Sequence, residues 1–128
     1  MKYSTSIIFC KPGEAAKVIH IPKTQKVAPK VKELLDANEC AVKRRQFVDD
    51  PEIVILGLKK DPTPNRALYN ENGSVRTVIT GAFILCAMKN KELEPLTTEQ
   101  TSCYAQLFKK PQRFFIKNDR IIAMDYNP

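Results

Sequence analysis

The chain has 128 residues and a molecular mass of 14.5 kDa, the size of one ordinary domain. A hydrophobic fraction of 43% and a charged fraction of 27% exclude a disordered chain, a collagen-like fibre and a coiled coil. Twenty-one Lys and Arg residues against fourteen Asp and Glu residues give a net charge of +7, which favours anionic partners. The same charge is normal for a soluble small domain, so it indicates no particular partner by itself.

Neither a membrane span nor an export signal is expected. The longest apolar stretch, Val78 to Met88, is about half as long as a membrane-spanning helix. The first ten residues contain too short an apolar run for a secretory signal and no small-residue cleavage site. The four cysteines are spaced neither as zinc ligands nor as a redox pair. We therefore expect a cytoplasmic protein with reduced thiols in its core and no membrane contact.

The first half of the chain predicts two strands and a helix, in that order. Tyr3 to Cys10 and Ala16 to Ile21 are rich in β-branched residues and flank a Pro-Gly turn, so they predict a hairpin. The apolar residues at positions 27, 31, 34 and 35 lie on one face of a helix, which we place at residues 26–37. Asn38 is a suitable left-handed stop for this helix.

Two further strands are predicted before the middle of the chain. Cys40 to Val48 has strand composition and carries three consecutive cations. Ile53 to Leu58 is a short continuous apolar run, typical of a strand buried on both faces. Residues 61–64 contain two prolines, which deny ladder hydrogen bonds, so they predict an extended loop.

The second half predicts two hairpins and a central strand. Asn72-Gly73 is a strong turn signal in which both residues can take a positive φ. Val75 to Met88 is apolar on both alternating faces and predicts one central strand, with a bulge or a close backbone approach at Gly81. Asn118-Asp119 lies between two apolar runs and predicts the second hairpin.

A second helix is predicted after Thr97, because Thr97 and Gln100 form a capping-box pattern. Together these elements predict a single compact α+β domain over residues 1–128. Its sheet should be mixed but mostly antiparallel, with about six to seven strands and two helices.

No catalytic pattern is present in the sequence. His20 is the only histidine, and nucleophile elbows, zinc-protease motifs and phosphate-binding loops are absent. We therefore expect a protein without enzymatic activity, without a metal site and without a cofactor.

The sharpest basic cluster is Lys43-Arg44-Arg45, which we interpret as a contact for an anionic ligand. On a strand, Lys43 and Arg45 would share one face and Arg44 would lie on the other. Aromatic residues interleaved with cations would indicate single-stranded nucleic acid, but Phe108, Phe114 and Phe115 have the periodicity of core residues. The aromatic side chains are therefore expected in the core.

Residues 62 to 128 contain a series of motifs that resemble one known family. The similar segments, in chain order, are Asn65-Arg66-Ala67-Leu68 with Asn72-Gly73, Ile79 to Cys86, Leu96 to Gln100, Phe108 to Pro111, and Phe114-Phe115. The family is the one catalogued as domain of unknown function 3846, which phages and mobile elements carry. The first sixty residues agree with it only in outline.

The resemblance implies a small accessory protein that acts in a bacterial host cell by binding. Its partner would be an anionic ligand, either a nucleotide or nucleic acid, or a host-defence protein that it blocks or sequesters. A nucleic-acid-binding accessory protein is the alternative. The matched residues Asn65 and Arg66 are ligand-binding candidates, because a polar pair on a rigid loop is a functional hint. The competing interpretation is that Asn65 caps a turn and Arg66 pairs with a carboxylate.

Overall fold

The computed structural model describes residues 6–35, 52–57 and 61–128 with their side chains, and the backbone alone of residues 42–46 and 58. These parts of the chain contain two helices and ten strands. The helices are α1 (Val27–Leu35) and α2 (Thr98–Leu107). The strands are β1 (Ser6–Cys10), β2 (Lys17–His20), β3 (Val42–Gln46), β4 (Ile53–Leu58), β5 (Pro64–Tyr69), β6 (Val75–Thr80), β7 (Phe83–Lys89), β8 (Glu92–Glu94), β9 (Gln112–Lys117) and β10 (Arg120–Asp125).

A six-stranded sheet forms the centre of the molecule, in the order β2-β1-β7-β4-β3, with β8 also paired to β7. Strand β7 is central because its apolar residues are buried from Phe83 to Ala87, so both faces of the strand can be covered. Strand β4 is equally apolar and lies beside it, with Ile55 opposite Leu85. Every strand pair in the described part of the chain is antiparallel.

Two apolar clusters cover the two faces of this sheet. Helix α1 buries Val27, Val31 and Leu35 on one face, where its 3.6-residue period presents a single apolar stripe. On the other face, helix α2 and the β5–β6 hairpin pack over β1, β4 and β7. There the Phe83 and Phe108 rings meet edge to face, with centroids 5.6 Å apart.

The predicted strand from Val75 to Met88 is two strands in the structure, which corrects the sequence prediction. The chain turns at Gly81, so β6 pairs with β5 in a separate two-stranded sheet while β7 enters the central sheet. Gly81 has a φ of 73°, and a Cβ atom there would lie only 2.8 Å from the Cβ of Asp61. The turn is possible because glycine takes this conformation and leaves room for Asp61.

The turns differ in part from the sequence prediction. Asn118 and Asp119 both have positive φ, as a two-residue hairpin turn requires. In the β5–β6 hairpin only Gly73 does so, because the connection runs over five residues, from Asn70 to Ser74. A further hairpin, β7–β8, turns at Asn90 and Lys91 and is not predicted from the sequence, since its second strand has three residues and two are acidic.

The α+β class and the two helices are confirmed, while the strands are more numerous and divide among three sheets. Helix α2 begins with the predicted capping box: Gln100 N donates to Thr97 Oγ1, and Thr97 N donates to Gln100 Oε1. The predicted end of α1 at Asn38 lies outside the described residues. Neither described helix has the length and apolar character needed to cross a membrane.

Candidate functional site

Asn65 and Arg66 lie inside the molecule on β5, which corrects the prediction that they occupy a loop. Each is only 1% exposed. Arg66 donates from Nε to the Phe108 carbonyl oxygen at 3.1 Å and from Nη2 to the Glu14 carbonyl oxygen at 2.6 Å. Burial lowers the pKa of its guanidinium.

The side chain of Asn65 completes this buried network. Its Nδ2 donates to the carbonyl oxygens of Cys10 at 3.1 Å and Gly81 at 2.7 Å, and its Oδ1 accepts from Arg66 Nη1 at 2.7 Å. These contacts tie β5 to β1, to the turn before β7 and to the end of α2. The structure therefore gives the pair an internal structural role, in which Arg66 bonds to carbonyl oxygens and not to the carboxylate that the competing interpretation expected.

The basic cluster at residues 43–45 lies on β3, at one edge of the central sheet. Its backbone pairs with β4, with Lys43 opposite Gly57, Arg44 opposite Leu56 and Arg45 opposite Ile55. The side chains of these three residues lie outside the described part of the chain. Strand β3 and strand β5, which carries Asn65 and Arg66, belong to different sheets.

The most exposed apolar side chains of the described residues concentrate on the β9–β10 hairpin. Successive residues on a strand point to opposite faces, and directly opposed residues share a face. One face carries Phe114 and Ala123, which are half-buried, and nearer the tip Ile116 and Ile121, which are 77% and 47% exposed. We call the opposite side the outer face of the hairpin. It carries Arg113, Phe115, Lys117, Arg120, Ile122 and Met124.

Phe115 does not lie in the core, although its sequence pattern predicted that it would. Its side chain is 45% exposed on the outer face, while Phe108 is buried and Phe114 is half-buried. Arg113 precedes Phe115 by two residues and Lys117 follows it by two, so all three point the same way. The alternation of cation and aromatic in β9 is the sequence signal that could have identified this surface.

The tip of the hairpin places two cations opposite each other. Lys117 pairs directly with Arg120, across the turn at Asn118 and Asp119. In the described part of the chain neither cation lies within ion-pairing distance of a carboxylate. Like charges in this register repel each other and destabilise the hairpin. An anion bound between them would relieve that repulsion.

The β7–β8 hairpin provides an internal comparison. It also turns through two residues of positive φ, yet the pair that closes it is Lys89 opposite Glu92, of opposite charge. The turn geometry therefore does not itself require two facing cations. The repulsion between Lys117 and Arg120 is a particular property of the β9–β10 hairpin.

Arg113 is held in place at the base of the outer face. Its guanidinium carbon lies 4.6 Å from the centroid of the Tyr126 ring, in a cation–π contact. A guanidinium stacked in this way has already lost much of its side-chain freedom, so less entropy is lost when it binds an anion.

A groove of about 920 Å³ lies between the tips of the β5–β6 and β9–β10 hairpins. Residues of both faces of the β9–β10 hairpin, among them Lys117, Arg120 and Ile121, line one side, and Tyr69 lines the other. Gln112 fixes the two walls relative to each other. Its Oε1 accepts from Ala67 N at 2.8 Å, and its Nε2 donates to Tyr69 Oη at 2.9 Å and to Asp125 Oδ1 at 2.8 Å.

The described residues contain no cluster of three or more His, Cys, Asp or Glu side chains with the arrangement of a metal site. Cys10 and Cys86 are free and buried, as predicted, and burial raises the pKa of each thiol to about 12. Cys103 is free but exposed, so it is not a core residue. Cys40 lies outside the described residues.

Comparison of the chain with protein-family models, with curated proteins and with solved structures finds no match. The resemblance to the family of unknown function therefore stays a prediction, and the surface has to be interpreted from its own chemistry.

Proposed function

We propose that this chain is a non-enzymatic accessory protein of a phage or mobile element that acts in the bacterial cytoplasm by binding an anionic partner. The outer face of the β9–β10 hairpin is the contact surface. The observation that carries the proposal is the register of Lys117 and Arg120, which sets two cations against each other with neither of them in an ion pair among the described residues. An anion that binds between the two cations offsets their repulsion, so binding of the partner stabilises the hairpin.

The net charge of +7 supports the same conclusion, because it draws anions to the whole surface. The resemblance implies an anionic ligand, either a nucleotide or nucleic acid, or a host-defence protein as the partner, and the phosphates of a nucleotide or nucleic acid would meet these cations. The cluster Lys43-Arg44-Arg45 remains a second candidate contact, carried by an edge strand. The guanidinium of Arg113, held on the Tyr126 ring, preorganises the hairpin for such a contact.

Binding of a polyanion that offers only negative charge, with neither nucleic-acid bases nor protein side chains, tests this proposal. We expect the protein to bind a short, dye-labelled abasic deoxyribose-phosphate strand in a fluorescence anisotropy titration, and inorganic tripolyphosphate to compete with it. The affinity should fall with salt, with a log–log slope of about −0.7 for each phosphate contacted in a single strand. The double variant Lys117→Ala/Arg120→Ala should bind more weakly and reduce the slope by about 1.4.

The matched control is Lys89→Ala/Lys91→Ala, which removes the same charge from the other two-residue hairpin turn. If the contact is specific to the β9–β10 hairpin, this control should keep most of the affinity. Equal losses in the two double variants would show that only the net charge matters. Absence of binding by the unaltered protein at low salt would refute anion binding at this surface.

A further inference from the structure

The aromatic side chain at the centre of the outer face indicates what kind of anion binds there. Phe115 is 45% exposed and lies between Arg113 and Lys117 on the same face of β9. We propose that the outer face binds single-stranded nucleic acid, with one base stacked on the Phe115 ring and phosphates on the flanking cations. This inference rests on the proposed function and names the chemical class of its partner.

Cations and an aromatic ring alternate along β9, as phosphates and bases alternate along a single strand of nucleic acid. The Cα atoms of residues two apart on a β-strand are separated by about 6.6 Å. The Cα atoms of Arg113 and Lys117 are therefore about 13 Å apart, with that of Phe115 midway. A single strand likewise alternates phosphates with bases, and its bases are free to stack on a protein ring. Proteins that bind single strands combine a basic track with such aromatic platforms.

The remaining side chains of the outer face favour a single strand over a duplex. Ile122 lies directly opposite Phe115, and Met124, 55% exposed, lies opposite Arg113. A β-ribbon that reads the major groove needs polar side chains at its centre to meet the base edges. Here the central pair is apolar, and apolar side chains suit the flat face of an unpaired base.

The groove between the two hairpin tips lies beside this surface, and Ile121 and Ala123 of the opposite face line it as well. Lys117 and Arg120 line it at the tip of the hairpin, and Tyr69, 39% exposed, lies across from them. The bonds of Gln112 to Ala67 and Tyr69 hold this second aromatic in position. A nucleic-acid strand that leaves Phe115 toward the tip would meet Lys117 and Arg120, the two cations that the outer face and the groove share.

A base-dependent affinity is the property that tests the inference. We expect oligo(dT) to bind more tightly than the abasic strand of equal length and equal charge. The variant Phe115→Leu should lose about 5- to 150-fold in affinity for oligo(dT), the range measured for loss of one stacked base, and should leave abasic binding unchanged. The control Ile116→Leu changes the most exposed residue of the opposite face, 77% exposed, and should alter neither affinity.

Stacking can also be observed directly, because the chain contains no tryptophan. Phe115→Trp introduces a single fluorophore, whose emission should be quenched when oligo(dT) binds and not when the abasic strand binds. Trp placed at position 116 should show no base-dependent quenching.

The outcomes separate this inference from the proposed function. The inference would be overturned if the protein bound oligo(dT) and the abasic strand with equal affinity and Phe115→Leu changed neither affinity. Anion binding by the outer face would still stand in that case. Tighter binding of duplex than of oligo(dT) at the same salt would also overturn it. Failure to bind either strand would contradict the proposed function itself.

Discussion

Asn65 Oδ1 accepts a hydrogen bond from Arg66 Nη1 at 2.7 Å, so two adjacent residues of one strand bond to each other inside the protein. The alternation of side chains along a strand normally separates such neighbours. Here the register between Pro64 and Arg66 is irregular, and both side chains are buried. The pair joins three segments that are remote in sequence, through Cys10, Gly81 and Phe108.

The first prediction concerns this network. Asn65→Ala removes two donors and one acceptor, so the carbonyl oxygens of Cys10 and Gly81 and the Arg66 guanidinium each lose a buried hydrogen bond. Each such bond contributes about 0.5–1.5 kcal/mol, and more where one group is charged, so the variant should lose at least about 2 kcal/mol of unfolding free energy in a urea titration. The exposed Asn72→Ala is the comparison, and it should lose much less. Similar losses in the two variants would show that the buried network contributes little.

The second prediction separates backbone strain from crowding at the turn before β7. Gly73 and Gly81 both have positive φ, but only Gly81 has a neighbour in the way, the side chain of Asp61. Gly73→Ala should cost about 1–2 kcal/mol from backbone strain alone. Gly81→Ala should cost clearly more, because the new methyl group and Asp61 must move apart. Urea unfolding of both variants measures the difference, and an equal cost would exclude the crowding argument.

The third prediction concerns thiol accessibility. With Cys40 replaced by Ser, one thiol of the native protein should react rapidly with a thiol reagent, and that thiol is Cys103. Cys10 and Cys86 should react only after unfolding, because they are buried and their raised pKa keeps them neutral. The unaltered chain should titrate as four free thiols in denaturant. Two or fewer on freshly purified protein would contradict the expectation of reduced cysteines.

The fourth prediction follows from the same two pKa values. The ordinary pKa of a cysteine thiol is 9.0, and burial raises the pKa of Cys10 and of Cys86 to about 12. Between these values the unfolded chain loses thiol protons that the folded chain retains, so stability falls as pH rises from 9 toward 12. Each thiol should contribute a slope of up to about 1.4 kcal/mol per pH unit. Urea unfolding over this pH range should show that the unfolding free energy of Cys10→Ala/Cys86→Ala declines less steeply with pH than that of the unaltered protein. An equal slope in the two proteins would show that other groups cause the decline.

The fifth prediction concerns the cluster at residues 43–45. Strand β3 lies at a sheet edge, and its pairing with β4 uses the backbone. Replacing Lys43, Arg44 and Arg45 together by Ala should therefore leave the Tm within about 5 °C of its original value, the scale of surface changes. We expect the affinity for the partner to fall, since three cations are lost. A variant that unfolds would show the cluster to be structural, and one that binds the abasic strand unchanged would show it to be incidental.

Features set by neighbouring residues could be predicted from the sequence. The capping box at Thr97 and Gln100 needs only two side chains three residues apart, and the turn at Asn118 needs only residues that tolerate positive φ. The apolar run of β4 likewise identified a buried strand, because burial of a whole run depends on its composition. Each of these signals is local, and the α+β class followed from their sum.

The tertiary structure decided which face of each element meets another element. Phe108 and Phe115 have similar sequence surroundings, yet one packs on Phe83 and the other is exposed, because only the fold determines what lies opposite them. Asn65 and Arg66 appeared suited to a surface loop, but their partners come from segments up to 55 residues away. The facing cations Lys117 and Arg120 arise from a predicted turn, whereas the absence of an ion pair to either of them among the described residues depends on how the chain packs. Local chemistry thus determined the elements, and long-range packing determined which of their side chains remain free to bind.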